Sequence, residues 1–480
     1  MNNIVNFING EYIEPLENKY IDNYNPAFGE IYSKVADSNS KDLELAFKSA
    51  KEAFKIWSNT TNQVRAEYLY KIADILESKI DEFALAESID QGKPVSLAKS
   101  MDITRSIHNF RFFAGAILHN EETSNQFNNN FLNYTSRKPL GVVGLISPWN
   151  LPLYLLTWKI APAIACGNTV ICKPSEFTSM TAYMLGDVLN KAGLPKGVCN
   201  ILMGTGANIG KEIVSHSKIP AISFTGGTAT GKIISSITAP YFKKLSLELG
   251  GKNPNIIFDD VNLDECVNTT IRSSFLNQGE ICLCGSRVFV QDKIYDEFLD
   301  KFLESTKKLI IGDPLDSKTN IGAIVSEQHL SKIKSYIALV EKENNKILYG
   351  ASRPILENKF SKGYFINPTI IETYNNKCQI MQEEIFGPVV TITKFKEESE
   401  VIDMANDIDY GLSATIWTEN LSKAHRVSNS LDCGTVWVNN WMTRDLRVPF
   451  GGVKNSGIGR EGGKYSIDFY TEVKNICIKF

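Results

Sequence analysis

Cys282 lies in the run Asn277-Gln278-Gly279-Glu280-Ile281-Cys282-Leu283-Cys284. A cysteine becomes a strong nucleophile once it is a thiolate. In a reducing compartment it is otherwise a small, inert core side chain. Cys282 and Cys284 form a C-x-C pair, but no second ligand pair stands at zinc-site spacing, so no metal is expected. The chain has five His, none near Cys282 in sequence. A Cys–His hydrolase would bring its partners together only in space, and nothing in the sequence favours one. Glu248 lies in Leu245-Ser246-Leu247-Glu248-Leu249-Gly250-Gly251-Lys252-Asn253-Pro254. Ser246 and Glu248 share a face of an alternating strand, which makes Glu248 a solvent-facing residue on one reading. On the other it is a partly desolvated carboxylate with a raised pKa, able to act as a general base near neutral pH.

Gly226-Gly227-Thr228-Ala229-Thr230-Gly231-Lys232 spells G-x-x-x-x-G-K after an apolar run. A P-loop needs Ser or Thr next, and Ile233 stands there, which argues against nucleotide hydrolysis. A strand, glycines and a helix N-terminus still suit a phosphate, including the pyrophosphate of a dinucleotide. Lys173 and Glu176 close another apolar run. They read either as a surface turn on Pro174 or as a ribose clamp. A Glu there would accept hydrogen bonds from the ribose diol and repel a 2′-phosphate, favouring NAD over NADP.

These residues need elements to hold them. Apolar residues recur at helical spacing from Asp42 to Trp57 and again from about Gln63 to Ile89. Near residue 140 the pattern changes to short apolar runs that end in polar closers. Leu140 to Ile146 ends in Ser147-Pro148-Trp149-Asn150, Thr169 to Cys172 in Lys173-Pro174-Ser175-Glu176, and Ala221 to Thr225 in Gly226-Gly227. Continuous apolar runs alternating with helices predict βαβ units, whose ligands sit at the carboxyl ends of the strands. A second α/β stretch starts near Asn255-Ile256-Ile257-Phe258 and runs to about Val438, with a helix over Ile294 to Ile310. Glu121 to Asn130 and the tail after Gly459 fit neither domain.

The 480 residues call for two or three domains at roughly 100–200 residues each. A net charge of −3 without a long basic run points to no nucleic-acid partner. The N-terminus does not read as a signal peptide. The longest apolar segment, Leu151 to Ala165, is interrupted by Pro152, Lys159 and Pro162, so no membrane span is expected. Nine Cys at irregular intervals suit reduced thiols in a cytoplasm.

The segments Ser147-Pro148-Trp149-Asn150, Lys173-Pro174-Ser175-Glu176, Phe224-Thr225-Gly226-Gly227, Leu247-Glu248-Leu249-Gly250-Gly251-Lys252, Gly279 to Cys282 and Glu383-Glu384-Ile385-Phe386-Gly387-Pro388 share order and spacing with the aldehyde dehydrogenase superfamily. The chain resembles that family over nearly its whole length. The resemblance implies an α/β fold with three parts: a Rossmann-like NAD-binding domain (1–120 and 139–250), an α/β catalytic domain (251–455) and a small β oligomerisation arm (121–138 and 456–480). It implies Cys282 as nucleophile, Glu248 as general base and Asn150 as the side-chain half of an oxyanion hole. Lys173 and Glu176 would contact the adenosine ribose and Glu384 the nicotinamide ribose, with Phe386 packed near the nicotinamide. Ile146, Ser147, Trp149, Ser175, Gly206, Phe224, Gly226, Gly227, Leu249 and Gly250 complete the implied cofactor contacts. Gly227 departs from the pattern, since many members carry Ser there. The implied reaction is NAD-dependent oxidation of an aldehyde through a thiohemiacetal and a thioester on Cys282, in a homodimer or homotetramer.

Leu151-Pro152-Leu153-Tyr154-Leu155-Leu156-Thr157-Trp158-Lys159 and Arg444-Asp445-Leu446-Arg447-Val448-Pro449-Phe450 are similar to the muconic semialdehyde dehydrogenase branch, whose substrates include 2-aminomuconic and 2-hydroxymuconic semialdehyde. That similarity implies a substrate carboxylate held by Arg105 and Arg444, with Arg447 as the alternative to Arg444. Against it stands the reading that an Arg beside Asp102 or Asp445 makes only a surface ion pair. A broad-specificity, betaine-type or retinal aldehyde dehydrogenase is the alternative activity.

Overall fold

The computed structural model describes residues 3–480. Its first large sheet has eight strands. Five are parallel and in spatial order: Lys244–Glu248, Ala221–Thr225, Val142–Ile146, Thr169–Lys173 and Cys199–Ile201. Val142–Ile146, Thr169–Lys173 and Cys199–Ile201 are buried at every position, as continuous apolar runs require. From Val142–Ile146 the chain moves to one side for Thr169–Lys173 and to the other for Ala221–Thr225. The strand order therefore reverses there, opening a crevice beyond Ile146 and Thr225.

The crossover from Val142–Ile146 is the helix Pro152–Ala165, the apolar segment of the sequence, and every residue in it is buried. Pro152 sits at its start, where a missing N–H costs nothing. The predicted helix over Gln63 to Ile89 is two helices, Asn62–Ser78 and Ile80–Gln91, divided where Lys79 leaves helical geometry.

A second sheet of seven strands holds Pro254–Ile257 between Arg287–Gln291 and Ser413–Trp417. Only its edge strand Lys346–Tyr349 is antiparallel. The third unit is a three-stranded antiparallel sheet of Ser124–Phe127, Phe131–Pro139 and Thr471–Lys479. The tail from 456 on does not all belong to this arm. Gly457–Ile458 pairs with Leu247 and Glu248 at the edge of the eight-stranded sheet. Ile467 and Tyr470 are buried in the core of that same layer. Their apolar area and main-chain pairing commit these residues to the first domain, and only Thr471–Lys479 continues into the arm. No helix among the described residues is long and apolar enough to cross a membrane.

Candidate active site

Cys282 sits between the two large sheets, on a loop whose backbone is tightly specified. Asn277 and Gln278 adopt left-handed geometry, with φ of 53° and 56°, and Gly279 follows at φ 72°. A Cβ on Gly279 would lie 2.1 Å from the carbonyl oxygen of Gly387, so only glycine fits. The loop delivers Cys282, half-buried, to a cavity of about 240 Å³ that is open at its mouth. Asn150, Trp149, Gly226, Gly227, Leu249, Gly250, Glu384 and Phe386 line the same cavity. Leu155, His329 and Lys332 also line it, and the sequence did not single them out.

Asn150 is buried and held from three directions. Its Nδ2 donates to the Glu280 carbonyl at 2.8 Å, and its own carbonyl accepts from Lys93 Nζ at 2.8 Å and Asn277 Nδ2 at 3.1 Å. An amide NH₂ carries two protons, so one remains for an oxygen bound in the cavity. The main-chain N–H of Cys282 has no acceptor among the described residues. Burial pushes the Cys282 thiol well above its ordinary range, the carboxylates of Glu384 and Glu248 add to this, and Arg444 opposes it.

Of the two readings of Glu248, the structure favours the desolvated carboxylate. It is 5 % exposed, and neither oxygen has a hydrogen-bond partner among the described residues. Burial, then the nearby charge of Glu461, raises its pKa far above the carboxylate range. Glu248 lies beside the cavity wall rather than on it, directly before Leu249 and Gly250.

Ile146, Ser147, Lys173, Ser175, Glu176, Gly206 and Phe224 are outside the cavity lining and gather at the strand ends next to it. Lys173 Nζ pairs with Glu176 Oε2 at 2.7 Å, and the Gly206 N–H donates to Glu176 Oε1 at 3.3 Å. Burial alone would raise the Glu176 pKa, but the Lys173 charge and these hydrogen bonds outweigh it and hold it low. Gly226 lies against the Phe224 ring, where an added Cβ would fall 2.4 Å from it. At Gly227 the space is open, so no steric demand explains the absence of Ser there. Lys232 of the P-loop-like segment is exposed and does not line the cavity. Across the cavity, Glu384 Oε1 accepts from the Gly251 N–H at 2.9 Å, and a Cβ on Gly250 would lie 2.3 Å from Glu384 Oε2. Phe386 packs edge-on against Trp149, and its carbonyl lies 2.6 Å from Nε2 of His329, whose pKa burial pushes down to about 4.

Arg105 and Arg444 are off the cavity lining but converge on one ring, that of Tyr154. Neither pairs with the acid that stands near it in sequence. Asp102 binds the buried ammonium of Lys93 at 2.8 Å, and Asp445 binds Arg447 at 2.5 Å. Arg447 pairs with Asp445 and is mostly exposed, whereas Arg444 has no acidic partner among the described residues and faces Tyr154. The sequence reading missed Glu461 and Lys159, which meet at 3.1 Å behind Glu248. A lysine inside an otherwise apolar helix was the available signal for Lys159, since a buried charge requires a partner. Nothing local marks Glu461.

With this geometry in place, the comparisons define the class. The chain belongs to the aldehyde dehydrogenase family, whose model matches residues 12–476. It is 52% identical to the human 2-aminomuconic semialdehyde dehydrogenase, over 99% of this chain and 98% of that protein. It is 42% identical to the 2-hydroxymuconic semialdehyde dehydrogenase of Pseudomonas sp. (strain CF600), over the full length of both. Among solved structures, the NAD+ complex of an aldehyde dehydrogenase from Bacillus cereus superposes with a TM-score of 0.97 at 38% identity, covering 100% of this chain and 97% of that one.

Proposed function

We propose that this protein is an NAD-dependent dehydrogenase that oxidises a semialdehyde bearing a remote carboxylate, such as 2-aminomuconic 6-semialdehyde, to the acid. The observation that carries the substrate class is the convergence of Arg105 and Arg444, free of acidic partners among the described residues, beside the wall that holds Cys282. Relatives named for muconic semialdehydes support the same class.

The residues fit a dinucleotide. Gly226 and Gly250 sit where any side chain would collide with the Phe224 ring or Glu384, and Gly227 leaves its helix N-terminus open. Lys173 and Glu176 would hold the adenosine ribose, and Glu384 the nicotinamide ribose. When bound, NAD supplies the hydride acceptor. Cys282 gives up its proton to solvent, and its sulfur bonds to the aldehyde carbon while the carbonyl π electrons move onto oxygen. The second Asn150 N–H and the Cys282 main-chain N–H hold the resulting oxyanion. After hydride loss the acyl group remains on sulfur as a thioester. Glu248 takes a proton from the water that attacks the thioester carbon, the C–S bond breaks to release the acid, and the departing Cys282 sulfur takes back a proton to restore the thiol.

The three structural units would act as an NAD-binding domain, a catalytic domain and an oligomerisation arm, in a cytoplasmic homodimer or homotetramer. The nine cysteines are all free, which suits a reducing compartment. A substrate panel followed by absorbance of reduced cofactor tests the activity. It should set carboxylated semialdehydes against alkyl, aromatic, betaine-type and retinoid aldehydes. A preference for any uncharged aldehyde over the carboxylated ones would overturn the substrate class.

A further inference from the structure

We infer that Tyr154 is the specificity-determining residue that fixes the two arginines as one carboxylate receptor; this rests on the substrate reading of Arg105 and Arg444. Tyr154 is 1% exposed, on the helix Pro152–Ala165. Its main-chain carbonyl accepts from Asn109 Nδ2 and Thr157 Oγ1, both at 3.0 Å, and its ring is packed among the buried residues around Cys282. The Arg105 guanidinium lies 5.4 Å from the ring centroid and that of Arg444 5.5 Å. Arg444 Nη1 also donates to the Tyr154 hydroxyl. The rings of Trp158 and Phe450, each 4.4 Å from the Arg444 guanidinium, complete its aromatic surround.

Two like charges on one ring repel each other, and the electron-rich π faces offset part of that repulsion without neutralising either charge. No acid pairs with either arginine among the described residues, and Arg444 Nη2 is buried without a hydrogen-bond partner. Such a group lacks an acceptor that a planar carboxylate supplies. The Tyr154 hydroxyl accepts from Arg444 and keeps its own proton to donate. Tyr154 and Phe450, which both face Arg444, pack in one cluster with Leu155 and Cys282, and Leu155 and Cys282 line one cavity, so a carboxylate held at Arg444 lies on a substrate that can reach the sulfur.

Tyr154→Phe keeps the ring and removes the hydroxyl, while Tyr154→Met removes both and leaves a smaller apolar side chain. Adipic semialdehyde and hexanal provide matched six-carbon chains with and without the carboxylate. The ratio of their kcat/KM values should fall roughly tenfold in Tyr154→Phe and further in Tyr154→Met, mainly through KM of the acid. Equal losses on both aldehydes would make Tyr154 a purely structural residue, and an unchanged ratio in Tyr154→Phe and Tyr154→Met would equally sink the inference. Should Tyr154→Met fail to fold, the Tyr154→Phe ratio decides alone. Arg444→Ala, measured in parallel, separates the two levels. If it collapses the ratio while the Tyr154 variants do not, only the role of Tyr154 fails. If it leaves the ratio intact, the carboxylate reading fails and the role of Tyr154 falls with it.

Discussion

Lys159 and Glu461 form a buried ion pair of 3.1 Å directly behind Glu248. Glu461 also accepts from Trp158 Nε1 at 2.6 Å, Ser246 Oγ at 3.0 Å and Ser223 Oγ at 3.2 Å. Burial opposes its ionisation, but Lys159 and these donors outweigh burial and keep its pKa low. Glu248 has no such donors and is raised. Two neighbouring buried carboxylates are thus driven apart, one a fixed anion and one a titrating base. Glu461→Gln should therefore lower the Glu248 pKa and move the alkaline-rising limb of the deacylation rate to lower pH. It should also cost about 3–5 kcal/mol of stability, because Lys159 loses its partner. The pH profile of steady-state turnover checks the first effect, and an unmoved limb would disconnect Glu461 from Glu248.

Cys282→Ser should abolish aldehyde oxidation while leaving NAD affinity within about twofold, since a neutral hydroxyl is a far weaker nucleophile than a thiolate. Fluorescence titration with NADH alongside the activity assay reads both. Turnover above a few per cent would remove Cys282 from the chemistry.

Glu248→Gln should separate the two halves of the reaction. Hydride transfer comes before the step that needs this base, so one equivalent of NADH should form rapidly and turnover then stall. Intact mass spectrometry should find an acyl adduct on Cys282. A variant without burst or adduct would place Glu248 at thiol activation instead.

Glu176, held ionised by Lys173, should make NAD preferred over NADP by electrostatic repulsion of the 2′-phosphate. Glu176→Gln should narrow that preference roughly tenfold, mostly through KM for NADP. An NADP efficiency equal to that for NAD in the unaltered enzyme would refute the ribose assignment.

Glu280 lies in the cysteine loop, two residues before Cys282. It is fully buried, accepts from Gln91 Nε2 at 2.7 Å and the Val325 N–H at 3.2 Å, and burial pushes its pKa up to about 8. A carboxyl whose folded pKa is raised stabilises the fold below its unfolded pKa, and that contribution is lost as pH rises toward about 8. Glu280→Gln cannot titrate, so its Tm relative to the unaltered enzyme should climb from about pH 5 to about pH 8 and level off above it. Thermal melts across that range check the sign, and parallel curves would show that Glu280 does not titrate there.

The features that depend on local order were legible before folding. Apolar runs with polar closers located the parallel strands to within two residues, as at Val142–Ile146 and Ala221–Thr225, because a strand buried on both faces admits no other pattern. The motif around Cys282 and the glycines around Glu248 carried the family resemblance. Tertiary structure alone decided which charges are free. In sequence Asp102 stands near Arg105 and Asp445 beside Arg444, yet the fold gives Asp102 to Lys93 and Asp445 to Arg447, leaving two arginines for Tyr154. Glu248 could have faced solvent until the layers closed over it. Glu461 meets Lys159 from 302 residues away, and its segment joins the first sheet rather than the arm. Burial and ion pairing are properties of what packs against a residue, and for these residues the neighbours come from distant parts of the chain.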